Sequence, residues 1–329
     1  TLAQFPEYQA VLDDPDIKRY IITFDPINPQ AANQSQIHRL EERWSAEQLQ
    51  LLYGEVKQFT KYLLNRYEGT NKEFILSAPS EMDWHLTSVG EERGGCERGD
   101  RACAEVDANP RAVQNTILYL NRIQDAITDA KAELNNPEDV EIAQACEINF
   151  VVRVSEERKT GLTEVIPNTN CDYVAWSAHE AWRAIVDQIR INREIEATGN
   201  LVPAPDYMRR PDDLILRALE RISQYPPLGM EPGHRNIIIG EIGYKENLDD
   251  ETLDNFIITV KKALNYGVHS VNLWQLMDNS CRVFDPSPSE AVDRCKGFWL
   301  LKPGDGAYGL ASTPLLDRLY AEMSRPASE

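Results

Sequence analysis

Six short runs of apolar, mostly β-branched or aromatic residues recur along the chain, and long helical segments separate most of them. Tyr20-Ile21-Ile22-Thr23-Phe24, Phe74-Ile75-Leu76-Ser77-Ala78, Ile148 to Val154, Tyr173-Val174-Ala175-Trp176, Asn236-Ile237-Ile238-Ile239-Gly240-Glu241 and Ser270-Val271-Asn272-Leu273-Trp274 read as strands. Their near-continuous apolarity means that both faces are covered, which is the signature of a parallel sheet with helices packed on it. Ser45 reads as the N-cap of a helix reaching about Arg66, and further helices are expected from about Pro110 to Leu134, Pro211 to Gln224, Asp250 to Tyr266 and Leu315 to Met323. Leu2 to Leu12 also reads as helical. No Gly-rich phosphate loop follows any strand, which disfavours a nucleotide-binding doubly wound sheet and leaves a (β/α)8 TIM barrel as the α/β fold class. A full barrel has eight strands, so the first two are expected upstream of Thr1. Residues 1–329 are read as one barrel domain.

With 329 residues and a net charge of −19, the surface repels phosphate backbones, so nucleic acid is not an expected partner. No stretch of about 18 apolar residues offers a membrane span. Six cysteines fall into Cys96 with Cys103, Cys281 with Cys295, and Cys146 with Cys171. The first two pairs lie in Gly-, Asp-, Pro- and Ser-rich loops. Neither has CxxC spacing or a nearby histidine, so zinc is disfavoured. Cys146 and Cys171 each stand just before an apolar run, and adjacent parallel strands would bring them within disulfide reach. Three disulfides point to an oxidising compartment, hence to a secreted protein. The sequon Asn33-Gln34-Ser35 is compatible with that.

In a parallel barrel, reactive side chains project from the C-terminal ends of strands. Glu81, in Pro79-Ser80-Glu81-Met82-Asp83-Trp84, and Glu241 both occupy such places. Two carboxyl groups about 5–5.5 Å apart across a barrel mouth are what a retaining glycosidase needs, one to protonate the leaving oxygen and one to attack the anomeric carbon. Trp84, Trp176, Trp182 and Trp274 could present flat faces to sugar rings, or pack in the core. His179 and Glu180 could touch substrate or hold Glu241. Asp25 and Asn28 are weaker candidates, and Asp83 has a structural reading as a loop cap.

The segment Gly240-Glu241-Ile242-Gly243, with Trp274 in Leu273-Trp274-Gln275-Leu276-Met277-Asp278-Asn279, resembles the motifs of clan A of the glycoside hydrolases, and Phe74 to Trp84 resembles that clan's fourth strand and acid/base loop. The resemblance runs as scattered motifs from about Tyr20 to Met323. It implies Glu81 as acid/base, Glu241 as nucleophile, Trp274 as the floor of the subsite beside the cleaved bond, and an oligo- or polysaccharide substrate. Tyr20 to Phe24 becomes the third strand. Ser80 stands where the clan usually has Asn; serine donates one short hydrogen bond without the amide's reach. Ser80 and the long cysteine-bounded loops support an alternative, an inactive barrel with a carbohydrate-binding or structural role. A metal-dependent hydrolase is disfavoured because the five histidines form no HxH pair after a strand, and no cofactor is expected.

Non-reducing peptide mapping is expected to recover Cys96–Cys103 and Cys281–Cys295 as linked peptides. Free thiols at those positions would remove the argument for secretion.

Overall fold

The computed structural model describes residues 3, 5–23, 44–78, 82–87, 106–152, 157–199, 214–244, 250–274, 300–303 and 310–323. The chain divides into two compact units, one of Thr1–Trp176 with Glu220–Ile237, the other of Ser177–Leu219 with Ile238–Glu329.

The first unit runs α1 (Pro6–Leu12), β1 (Arg19–Thr23), α2 (Ala46–Tyr67), β2 (Lys72–Ser77), α3 (Met82–Thr87), α4 (Pro110–Glu133), β3 (Val140–Ile148), a π-helical turn (Gly161–Val165), a 3-10 turn (Ile166–Asn168) and β4 (Tyr173–Ser177), whose last residue begins the second unit. Helix α2 starts at Ser45, which accepts from the Gln48 amide while the Gln48 side chain accepts from the Ser45 amide. Helix α4 starts at Asn109, with Pro110 in the first turn, where its missing N–H costs nothing. Leu52, Val56, Leu63, Leu64 and Tyr67 on α2, and Ala112, Leu120, Ile123, Ile127 and Ala130 on α4, recur at three- and four-residue spacings and are buried. Strand β2 contributes Phe74, Ile75 and Leu76, all fully buried, as expected of a strand covered on both faces. Tyr20 and Tyr67 both pack on the Phe74 ring with centroids 5.1 Å away. At the start of β2 the buried Lys72 ammonium donates to the carbonyls of Asp14 (2.6 Å) and Ile17 (2.8 Å) and to the Tyr20 hydroxyl (3.1 Å), tying the N-terminal segment to the sheet.

The second unit continues with α5 (His179–Thr198), the start of α6 (Leu214–Ser223), β5 (Ile237–Ile242) from Ile238, α7 (Asp250–Tyr266), β6 (Ser270–Leu273), a short antiparallel pair β7 (Leu301–Pro303) and β8 (Leu310–Ser312), and α8 (Pro314–Met323). Trp182 on α5 meets Phe256 on α7 edge-on at 4.8 Å, and Tyr244 lies against Phe256 at 5.6 Å. Trp182 is therefore a core residue of this unit.

Strands β1 to β6 are parallel, and each takes the next in chain order as a partner. The link from β4 to β5 includes the Val174 amide donating to the Asn236 carbonyl at 2.9 Å. Sequential order without reversal is that of a (β/α)8 barrel rather than of a doubly wound sheet, and six of its strands lie among the described residues. Among those residues no helix is long and apolar enough to cross a membrane.

Two expectations are corrected. The third strand is Val140–Ile148, ending where the apolar run Ile148 to Val154 was expected to begin. The true strand is broken up by Glu141, Gln144 and Glu147, which conceal it from a search for apolar runs. Two of these positions have their own explanation: Glu141 is exposed and pairs with Lys131, and buried Gln144 donates to the Leu120 carbonyl at 3.2 Å. Consequently Cys146 lies inside β3, opposite Val174, rather than ahead of a strand. It is still bonded to Cys171, with Cα atoms 6.0 Å apart. Strand β3 begins five residues before its pairing with β4, so the bridge joins a position near the end of β3 to Cys171, just ahead of β4 as expected.

What stops β3 at Ile148 is Asp83. The amides of Asn149 and Phe150 donate to its Oδ2 at 2.7 and 3.0 Å, and the Gly161 amide donates to Oδ1 at 2.6 Å. The Asp83 amide in turn donates to Asn149 Oδ1 at 3.2 Å. A Cβ on Gly161 would stand 3.0 Å from Oδ1 and 3.2 Å from Met82 Cε, so any side chain there would crowd both. Burial pushes the Asp83 carboxyl above its ordinary range, with the three amide hydrogen bonds pulling the other way.

Replacing Asp83 by Ala strands three amide donors in the interior and should destabilise the first unit by about 3 kcal/mol. A carboxyl raised on folding contributes stability that is full below its unfolded pKa and lost as pH rises through its folded pKa. The penalty of Asp83→Ala should therefore be largest in acid and shrink on alkalinisation; denaturant melts across pH measure it.

Candidate functional site

The site in the second unit is built on an irregularity in β5. Ile238 pairs with Ser270 and Ile239 with Val271, but the next partners are Ile242 and Leu273. Two residues, Gly240 and Glu241, thus oppose the single residue Asn272. A bulge of this kind is uncommon between parallel strands, and it bends the strand and re-aims the side chains at it. The backbone around it stays paired: the Ala178 amide donates to the Glu241 carbonyl at 2.7 Å and the Trp274 amide to the Ile242 carbonyl at 2.8 Å.

The Glu241 carboxylate is half-buried, and both polar contacts described for it go to one oxygen. Ser177 Oγ donates to Oε2 at 3.3 Å, and His179 Nε2 lies 3.3 Å from the same atom. The imidazole stands perpendicular to the Trp274 indole, with ring centroids 6.3 Å apart. Trp274 itself is 36% exposed, an unusual state for a large aromatic and one that suits a face offered to a ligand. A carboxylate held by donors on one oxygen, with an exposed indole nearby, can act as an oriented nucleophile or as an anchor for sugar hydroxyls.

Of the residues singled out from sequence, Glu241, His179 and Trp274 are brought together here. Ser177 was missed; it is the last residue of β4, and a serine gives no signal there until the strand end and the position of Glu241 are known. Glu180 is half-buried in the first turn of α5, where its charge complements the helix N-terminus. Trp176 is fully buried with no hydrogen-bond partner for its Nε1 among the described residues, so its ring faces protein and not ligand. In the first unit Trp84 is half-buried at the start of α3 and meets Phe150 edge-on at 4.7 Å, next to the anchored Asp83. Pro79, Ser80 and Glu81 lie outside the described residues, as do Asp25, Asn28, the sequon at Asn33, Cys96, Cys103, Cys281 and Cys295.

No protein-family model and no curated protein matches the chain. Among solved structures it is similar to a Glycoside Hydrolase 5 lichenase from Caldicellulosiruptor sp. F32, a mutant in complex with cellotetraose. That match has 15% identity and a TM-score of 0.40, covering 89% of this chain and 68% of that one. A GH5-4 broad-specificity endoglucanase from Bacteroides salanitronis matches at 14% identity and TM-score 0.36, over 78% of this chain and 61% of that one. A GH10 xylanase from Bispora sp. MEY-1 with xylobiose matches at 8% identity and TM-score 0.39, over 92% and 74%.

The contrast between the two tryptophans is open to a direct check. Trp274→Phe should remove an iodide-quenchable part of the intrinsic fluorescence, whereas Trp176→Phe should remove only emission that iodide does not reach.

Proposed function

We propose that the protein is a secreted retaining glycoside hydrolase acting on an extracellular oligo- or polysaccharide, with Glu241 as nucleophile and Glu81 as acid/base. The observation that carries this reading is the bulged end of β5, where a half-buried carboxylate is held by Ser177 and approached by His179 beside the exposed Trp274. The motif resemblance around Glu241, Trp274 and Glu81 supports the same assignment. In the first step a Glu241 oxygen bonds to the anomeric carbon while Glu81 gives its proton to the departing oxygen. In the second, water attacks the same carbon, Glu81 takes the proton, and the electron pair returns to Glu241. Trp274 supplies a stacking face next to the reacting carbon. The Cys146–Cys171 bridge supports an oxidising destination. Ser80 in place of Asn favours a second reading, a barrel that holds carbohydrate without turning it over.

A panel of gluco-, galacto-, manno- and xylo-configured 2,4-dinitrophenyl glycosides separates the two. Turnover of at least one is expected, abolished by Glu241→Gln with sugar binding retained. Glu81→Ala should slow poor leaving groups far more than 2,4-dinitrophenolate, which needs no proton. Sugar binding without turnover across the panel would establish the second reading instead.

A further inference from the structure

We propose that a groove between helices α5, α6 and α7 of the second unit is a carbohydrate site in its own right, built for one neutral sugar ring. None of its lining residues belongs to the set around Glu241, and the proposal does not depend on the role given to that glutamate. The groove encloses about 120 Å³. Pockets for drug-sized ligands run to roughly 300–1,000 Å³, so the space here suits a single ring. Ile185 and Ile189 of α5, Ile215 of α6 and Ile258 of α7 form its apolar walls. Ile185 and Ile215 are buried, whereas Ile258 is exposed.

Gln188 is the residue that calls for a ligand. It is 9% exposed, its Nε2 donates to Asn192 Oδ1 at 2.7 Å, and its Oε1 is buried with no hydrogen-bond partner among the described residues. A buried acceptor left open is destabilising, and a ligand that brings a donor removes that penalty. Buried Thr259 gives its hydroxyl hydrogen to the Asn255 carbonyl at 2.8 Å, so towards the groove it can only accept. The occupant must therefore carry donors, either the N–H groups of a cation or the O–H groups of a polyol. Charge decides between them. Glu251 and Lys262 both line the groove and cancel, and Glu251 is already paired with Arg193. A cation would lose its water with no opposite charge to receive it, whereas a sugar hydroxyl meets no such penalty. One hydroxyl can donate to Gln188 Oε1, and a sugar oxygen can accept from the amide of Asn192, whose own oxygen is taken by Gln188. The ring C–H groups then bury against the isoleucine walls.

The test titrates the methyl β-pyranosides of glucose, galactose, mannose and xylose into protein with isotope-labelled isoleucine methyl groups, read by NMR. Ile185→Val, Ile189→Val, Ile215→Val and Ile258→Val assign the groove signals, and methylguanidinium chloride is the cationic comparison. At least one pyranoside should move these signals together along one saturating curve, with roughly millimolar affinity. Gln188→Leu should weaken that curve about fivefold and leave turnover of 2,4-dinitrophenyl glycosides unchanged. The near-isosteric Thr259→Val should weaken it by a smaller factor, and it decides if thermal melts show that Gln188→Leu does not fold. Trp274→Ala, which alters the site on β5, should leave the groove curve as it is. Groove signals that answer to methylguanidinium and to no sugar, or to neither, overturn the proposal and leave the glycosidase reading standing. So does a sugar curve that is lost with Trp274→Ala or insensitive to both groove variants. A saturable groove curve in a protein that turns over no glycoside upholds the proposal and counts against the glycosidase reading alone.

Discussion

A carboxylate removed from water needs hydrogen-bond donors in fixed positions, and Asp83 finds them in backbone from two distant stretches of chain. Meeting that demand dictates the local architecture of the first unit. Strand β3 must give up its ladder after Ile148 because the next two amides are committed elsewhere. The chain returns at position 161 with glycine, where a Cβ would crowd Asp83 and Met82, and α3 begins where its second residue can face inward. The packing of Trp84 on Phe150 follows from the same arrangement. A residue without acceptor oxygens at position 83 would leave all three choices unexplained.

The second unit handles a charge differently. Glu241 stays partly in contact with water, so no cage of amides is needed, and the strand instead spends one extra residue to turn the carboxylate towards β4 and α5. Full burial suits a structural hydrogen-bond acceptor, whose environment need never change. Partial exposure with donors gathered on one side suits a group that must exchange its charge with a substrate. The two acidic residues thus differ in burial and in donor geometry within one acidic chain, and the proposed role of Glu241 rests on that contrast.

How much of this was legible in the sequence depends on what each residue had to satisfy. Phe74 to Leu76 and Ile237 to Ile239 are apolar on both faces and announced their strands directly. The Ser45 cap was similarly plain for the helix it starts, because its partner Gln48 lies three residues on. Strand β3 was misplaced because Glu141, Gln144 and Glu147 break its pattern, and the partners of the first two, Lys131 and the Leu120 carbonyl, lie 10 and 24 residues away. His179 and Trp274 could be picked out because reactive groups gather at strand ends. Ser177 and the bulge could not, since both depend on the register between strands. Trp176 was a stacking candidate without the motif that favoured Trp274, and its full burial removes it from that role.

The disulfide has a consequence for the order in which this protein can be assembled. Cys146 and Cys171 enclose a segment with a separation of 25 residues, and Asn149, Phe150 and Gly161, the three residues that supply amides to Asp83, all lie inside it. Closing a loop of that size removes about 3 kcal/mol of chain entropy from the unfolded state. Oxidation therefore narrows the volume that those three amides can explore in the unfolded chain. A chain synthesised in a reducing medium would have to gather them from an open segment, so the redox history of the nascent protein sets how readily the region that follows β2 becomes ordered.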